Sequence, residues 1–87
     1  MSDAADRLFN AIVTNDVETS VRLLQAAGGA CQVRDLAKDA QDKSSIWTGF
    51  ISYSLKVDGN KETLTLFHVD KDDHREVAGI TQDLCKR

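Results

Sequence analysis

The strongest constraint on the fold is a pair of alternating runs on either side of a short turn cluster. Over residues 47–57, mostly apolar and aromatic side chains alternate with mostly Thr, Ser and Lys. Alternation resumes over 62–69, and the residues between the runs are Asp, Gly and Asn. A period of two is typical of β-strands, and Asp-Gly-Asn is typical of a tight turn. The pattern predicts a β-hairpin with strands at about 46–57 and 61–70.

The register of this hairpin follows from its side chains. A loop of Gly59 and Asn60 brings Asp58 opposite Lys61 and aligns apolar positions further along the strands. Moving the loop by one residue would instead place Lys56 opposite Lys61, so we reject that register. One face of the hairpin is then expected to cover the helices and form the main core. That face consists of Trp47, Ile51, Tyr53, Leu55, Leu64 and Leu66.

Apolar residues recur at helical spacing in three segments before the hairpin. The first segment follows Ser2, and the second begins after Asp16, which is suited to cap it, and ends at Gly28-Gly29. The short connection between them predicts an antiparallel helical hairpin. A short amphipathic third helix is predicted from about Val33 to Gln41.

The C-terminal segment at about 73–86 is predicted as a helix, with a third strand as the alternative. Asp73 and Glu76 have the spacing of a capping box. Gly79 disfavours a helix, and residues 75–82 also fit alternation. Three apolar residues recur at helical spacing in this segment: Val77, Ile80 and Leu84. The predicted fold class is therefore α+β, with three helices packed on a β-hairpin.

Length and charge exclude several functional classes. A chain of 87 residues is expected to form one small globular domain, residues 1–87. It carries 14 acidic and 11 basic residues, a formal charge of -3 that is the wrong sign for coating phosphate backbones. Its apolar stretches are too short to cross a membrane, and the acidic N-terminus does not resemble a secretory signal. We expect a cytoplasmic protein without direct nucleic-acid or membrane contact.

Catalytic and metal-binding patterns are weak. Cys31 and Cys85 are expected to be two free, buried thiols, because two cysteines in a reducing compartment do not make a disulfide framework; a bridge between them is the alternative. His68 and His74 flank an acidic run, but the run lacks the Gly and Glu of a calcium loop and has no nearby Cys for zinc. We therefore predict no catalytic residues, no metal, no cofactor and no enzymatic activity.

The second face of the hairpin carries the best candidate for partner binding. Phe50, Phe67 and Val69 lie together on it, either under a helix, the preferred interpretation, or as an exposed apolar patch. The acidic turn from Asp70 to Glu76 follows directly. A free strand edge also allows a homodimer. The predicted partner-binding residues are Phe50, Phe67, Val69, Asp70, Asp72, Asp73 and Glu76.

These features predict a small acidic protein-interaction module that acts without catalysis. Carboxylates on a compact protein can take the place of phosphates in the basic groove of a nucleic-acid-handling protein. In size, charge sign and lack of catalytic motifs, the chain resembles the small acidic inhibitors that phages and other mobile elements encode, anti-CRISPR proteins among them. The resemblance implies an inhibitor or adaptor with a basic protein partner.

The alternative is a winged-helix-like DNA-binding transcription regulator. Residues 36–40, followed by residues 44–51, resemble a DNA-binding helix-turn-helix, with the recognition helix at 43–52 and the later strands as a wing. Against it, the alternating, β-branched and aromatic residues of 47–57 favour a strand. Acidic residues also interleave with the basic ones, which would weaken contact with phosphate.

Overall fold

A computed structural model describes residues 3–44 and 49–87 of the chain. Three helices precede a three-stranded antiparallel sheet of order β1-β2-β3, which is the predicted α+β class. The elements are α1 (Asp3–Val13), α2 (Val17–Ala27), α3 (Ala30–Gln41), β1 (Phe50–Asp58), β2 (Lys61–Asp70) and β3 (Asp73–Asp83).

Capping groups set the boundaries of the helices. The Asp16 carboxylate accepts a hydrogen bond of 3.1 Å from the backbone N–H of Thr19 and starts α2, as predicted. Gly28 ends α2 with φ 122°, a backbone conformation that residues with a Cβ rarely adopt. The third helix begins three residues earlier than predicted, because Gln32 accepts a hydrogen bond from the N–H of Gly29 and closes its first turn.

The hairpin has the predicted register. The two strands pair without interruption from Phe50 opposite Val69 to Asp58 opposite Lys61. The turn is Gly59-Asn60, with Gly59 at φ 64°. Residues 50–52 belong to β1, so the recognition helix predicted by the DNA-binding alternative over 43–52 is wrong for those residues.

The prediction of a C-terminal helix is wrong, and its alternative is correct. Residues 73–83 form β3, which pairs with β2 from Asp70 opposite Asp73 to Lys61 opposite Asp83. A bulge interrupts this register, because Leu66 lies opposite Ala78 whereas the next residue lies opposite Glu76. Val77 is the extra residue, and both it and Ala78 are buried.

All three helices pack on one face of the sheet. Leu8, Leu24 and Leu36 share one core cluster with Leu64 and Leu66 of the central strand. Of the predicted core face, Ile51, Leu64 and Leu66 are buried, Tyr53 packs at the margin, Leu55 is exposed, and Trp47 lies outside the described residues. Within residues 3–44 and 49–87, no helix is long and apolar enough to cross a membrane.

Candidate interaction surface

The sheet face opposite the helices carries an apolar patch at one end. Residues directly opposite each other in antiparallel strands project to the same face. Phe50 lies opposite Val69, which in turn lies opposite His74, so the three form one row across the sheet. Phe67 lies in the next row, and its ring meets that of His74 edge to face at a centroid distance of 6.4 Å. We call Phe50, Phe67 and Val69 the aromatic patch.

The expectation that a helix covers this patch is wrong. The described helices α1 to α3 pack on the other face, where the core residues of the sheet are buried. Phe50 is 45% exposed, while Phe67 and Val69 are half-buried. A shallow pocket of about 280 Å³ opens beside the patch, lined by Gly49, Phe50, Val69, Asp70 and Lys71.

Carboxylates border the patch at the β2–β3 turn. Asp70 and Asp73 face each other at the ends of the two strands, and Asp72 lies in the turn between them. Glu76 lies opposite Phe67 and therefore projects to the same open face. All four carboxylates are exposed, and we call them the acidic rim. The structure thus brings all seven residues that were predicted to bind a partner to one end of the sheet.

The two histidines do not converge on a metal. Neighbouring positions of a strand project to opposite faces, so His68 lies on the helix side of β2 whereas His74 lies on the open face. Nδ1 of His68 accepts a hydrogen bond of 2.9 Å from Arg75. In the part of the chain that the structure describes, no group of three or more His, Cys, Asp or Glu side chains is arranged to hold a metal ion.

A buried ion pair lies on the helix side of the sheet and was not anticipated. Glu62 is 3% exposed, and both of its carboxylate oxygens accept hydrogen bonds from Arg34 of α3, at 2.8 and 2.7 Å. The backbone N–H of Cys85 donates a third, at 2.8 Å. The Arg34 hydrogen bonds chiefly, and the Cys85 hydrogen bond next, lower the pKa of Glu62. The sequence did hold a signal, because Glu62 has the same strand parity as Leu64 and Leu66.

The expectation of two free thiols is also wrong. Cys31, in the first turn of α3, forms a disulfide with Cys85, which follows β3. Beyond the bridge, Arg87 donates to the carbonyl oxygen of Cys31 at 2.8 Å and to the carboxylate of Asp35 at 3.0 Å. The end of the chain is therefore fixed to the helix layer, far along the sheet from the acidic rim.

A groove of about 430 Å³ opens between the helices on the side away from the sheet. Its apolar lining includes Leu23 and Leu36, and its charged lining includes Arg7, Asp35 and Asp39. One of these carboxylates, Asp35, is already bound by Arg87. No sequence pattern singled out this groove.

Comparison of the chain with protein-family models, with curated proteins and with solved structures finds no match.

Proposed function

We propose that this chain is a small, non-catalytic protein-interaction module that binds a basic surface on another protein. One observation carries the proposal: an apolar patch and four carboxylates lie side by side on the open end of the sheet. An apolar centre with a polar rim is the usual anatomy of a protein interface. The aromatic patch would supply buried contact area, and the acidic rim would select the partner.

Electrostatics support a basic partner. The acidic rim contributes four negative charges, with Lys71 the nearest positive charge in the turn, and the chain as a whole has a net charge of -3. A carboxylate cluster of this kind steers a positively charged surface into place and disfavours an acidic one. A nucleic-acid-handling protein offers such a surface, because its groove is built to hold phosphates.

The proposed role is inhibitor or adaptor. A carboxylate surface that occupies a phosphate-binding groove competes with the nucleic acid, which is how a phage-encoded inhibitor of the anti-CRISPR kind would act. The proposal places this activity in the cytoplasm, where nucleic-acid-handling proteins work, although the Cys31–Cys85 disulfide is a feature more usual in oxidising compartments.

The ion pairs of the structure disfavour the alternative function, direct DNA binding. Of the basic residues that a winged helix would present, Arg34 is bound to Glu62, Lys43 to Asp6 and Lys61 to Asp83. Each of these cations is paired with a carboxylate of the same chain. A protein that binds phosphate needs its cations unpaired and gathered on one face.

The test compares two charge-reversal variants of the tagged protein in quantitative affinity capture. The surface variant combines Asp70→Lys with Asp72→Lys, and the control combines Asp39→Lys on α3 with Asp42→Lys at the C-cap of α3. All four positions are exposed and both variants change the charge equally. Capture is performed in nuclease-treated extract at low and at raised salt, with mass-spectrometric identification.

We expect a basic protein that is captured by the wild type and by the control, and whose yield falls at least about tenfold with the surface variant. Raised salt should also reduce its yield, since exposed charges are screened. The purified partner should then lose nucleic-acid binding when this chain is added. If the surface variant captures the same proteins as the wild type, the proposal is wrong.

A further inference from the structure

The edge strand β1 carries an unusual share of the exposed apolar surface. Within the described residues, the exposed large hydrophobic side chains are Val17 on α2 and three on β1: Phe50 at 45%, Leu55 at 37% and Val57 at 54% exposure. β1 pairs with β2 through nine consecutive residues, and within the described residues no other strand pairs with it in the sheet of order β1-β2-β3. Its outer side borders apolar side chains, and at its start the N–H of Ile51 donates to Ser44 Oγ at 3.0 Å.

The opposite edge of the sheet is protected in ways that β1 is not. β3 contains the bulge at Val77, and Gln82 Nε2 donates to the carbonyl oxygen of Gly28 beside α2 at 2.8 Å. Bulges, charged side chains, Pro and short length are among the means by which natural sheets prevent edge pairing. The chain contains no Pro, and β1 has a regular register with β2. Its two charged residues, Lys56 and Asp58, both project to the open face.

We propose that β1 pairs antiparallel with β1 of a second copy of this chain. A two-fold axis through Ser54 places Tyr53 opposite Leu55 of the second copy. It also places Ile51 opposite Val57 of the second copy, where the N–H of Ile51 would exchange Ser44 Oγ for the Val57 carbonyl oxygen. Both pairs are apolar, lie on the helix side and are repeated by symmetry. Leu55 and Val57, the two most exposed side chains on that side of β1, then lie in the interface, whereas Ile51 is already buried within its own chain.

The charges of β1 tolerate this register. Lys56 lies opposite Ser52 and Asp58 lies opposite Phe50, so no like charges meet across the new interface. An axis through Lys56 instead would place that residue opposite itself, and like charges directly opposite are destabilising. The same strand is therefore complementary to itself in the register with its axis through Ser54, as a two-fold interface requires.

Such a dimer has a continuous six-stranded sheet with both helix layers on one side. The two open faces merge into one surface, and the two Phe50 side chains lie about 26 Å apart on it, at about 3.3 Å per residue along the strand.

The dimer does not depend on the function proposed above. The two also differ in their response to salt, because screening weakens binding to a basic protein but strengthens association of two chains that each carry a charge of -3.

The first test is sedimentation equilibrium of the full-length, disulfide-bonded chain over concentrations up to about 1 mM. We expect the mass to rise from 9.6 kDa towards twice that value, and to do so at lower concentration when salt is raised. The variant Val57→Lys should weaken association at least about tenfold, because the symmetric dimer contains the new charge twice in an apolar pair. The control Val17→Lys makes the same change at the exposed apolar residue of α2 and should leave association unchanged.

A second pair of variants tests the register. Ser54→Cys places two thiols opposite each other across the axis, so mild oxidation by oxidised glutathione should link two chains covalently. Ser52→Cys, on the same face, lies opposite Lys56 and should not form the link. A chain that stays monomeric to about 1 mM, a dimer unaffected by Val57→Lys, or equal cross-linking of both Cys variants would each overturn the proposal.

Discussion

Arg34 holds Glu62 by two parallel charge-assisted hydrogen bonds, Nε to Oε2 at 2.8 Å and Nη2 to Oε1 at 2.7 Å, between α3 and the central strand. The carboxylate is 3% exposed and lies beside the apolar side chains of the core face. Buried charges are tolerated when they are paired and hydrogen-bonded, and removal of one partner leaves the other uncompensated. The pair therefore fixes how the helix layer sits on the sheet.

Replacing Arg34 should destabilise the fold more than replacing Glu62. Arg34→Met leaves a carboxylate without its cation beside the core, whereas Glu62→Gln leaves a guanidinium that is 35% exposed and can still donate to the amide oxygen. We expect the free energy of unfolding, measured with urea, to fall more for Arg34→Met. The double variant should lose less than the sum of the two single losses. Additive losses would show that the two side chains do not interact in solution.

The stability of the fold should fall in acid because of the same carboxylate. Its hydrogen bonds with Arg34 lower the pKa of Glu62, so the folded protein binds this proton more weakly than the unfolded chain. The resulting stability is fully present above the carboxyl's unfolded pKa of about 4.3 and is lost as the pH falls through the lower folded pKa. Thermal unfolding midpoints between pH 7 and pH 2 measure the effect. The unfolding midpoint of Glu62→Gln should fall less over this window than that of the wild type. Identical midpoint profiles would contradict the assignment of the acid effect to Glu62.

Removal of the disulfide should cost about 4 kcal/mol of unfolding free energy, given the 54-residue separation of the bonded cysteines. A bridge of this length restricts the unfolded chain far more than the folded one. The double variant Cys31→Ser/Cys85→Ser and the reduced wild type should lose similar amounts in urea titrations. Amide exchange should rise first at residues 84–87, where the N–H of Cys85 donates to the carboxylate of Glu62. Exchange that stays unchanged there would contradict a role for the bridge in fixing the tail.

Local patterns predicted the hairpin because every signal in it agrees. The alternation, the Gly59-Asn60 turn and the cross-strand charges select the same register, and the structure confirms it. The C-terminal segment was mispredicted because the bulge places Val77 and Ala78 on the same side. Val77 is buried and Ile80 packs partly buried against the core, and their spacing of three resembles a helical stripe. The Asp73–Glu76 capping pattern is likewise part of a strand, in which Asp73 faces Asp70 across a turn.

The missed disulfide and the missed hydrogen bond from Cys85 to Glu62 both depend on where β3 ends. The disulfide joins residues 54 positions apart, a pairing that no spacing rule reveals. Once residues 73–83 form a strand rather than a helix, Cys85 comes next to the first turn of α3 and donates its N–H to Glu62. The proximity of the candidate partner-binding residues was predictable because they come from three consecutive strands and the turn that joins β2 to β3, so local pairing was sufficient to place them together.

The hairpin turn should discriminate among substitutions at Gly59. Its φ of 64° is left-handed, and no atom lies within 4 Å of where a Cβ would stand, so conformational strain is the whole effect. Gly59→Ala should cost about 1 kcal/mol, and Gly59→Asn less, because Asn tolerates this conformation. Urea unfolding of the two variants measures the difference. Equal losses, or a loss with Asn alone, would contradict the Gly59-Asn60 turn.

Neighbouring residues of the central strand should reveal which face of the sheet is open. Leu66 is fully buried against the helices, so Leu66→Ala should cost about 2 to 5 kcal/mol of unfolding free energy. Phe67 is half-buried on the open face, where its ring contacts that of His74 in the sheet, so Phe67→Ala should cost about 1 kcal/mol, the scale of one cross-strand pair. Urea unfolding provides both values. An equal loss for Phe67→Ala would mean that another part of the molecule covers the aromatic patch in solution, and the surface proposed for partner binding would then be inaccessible.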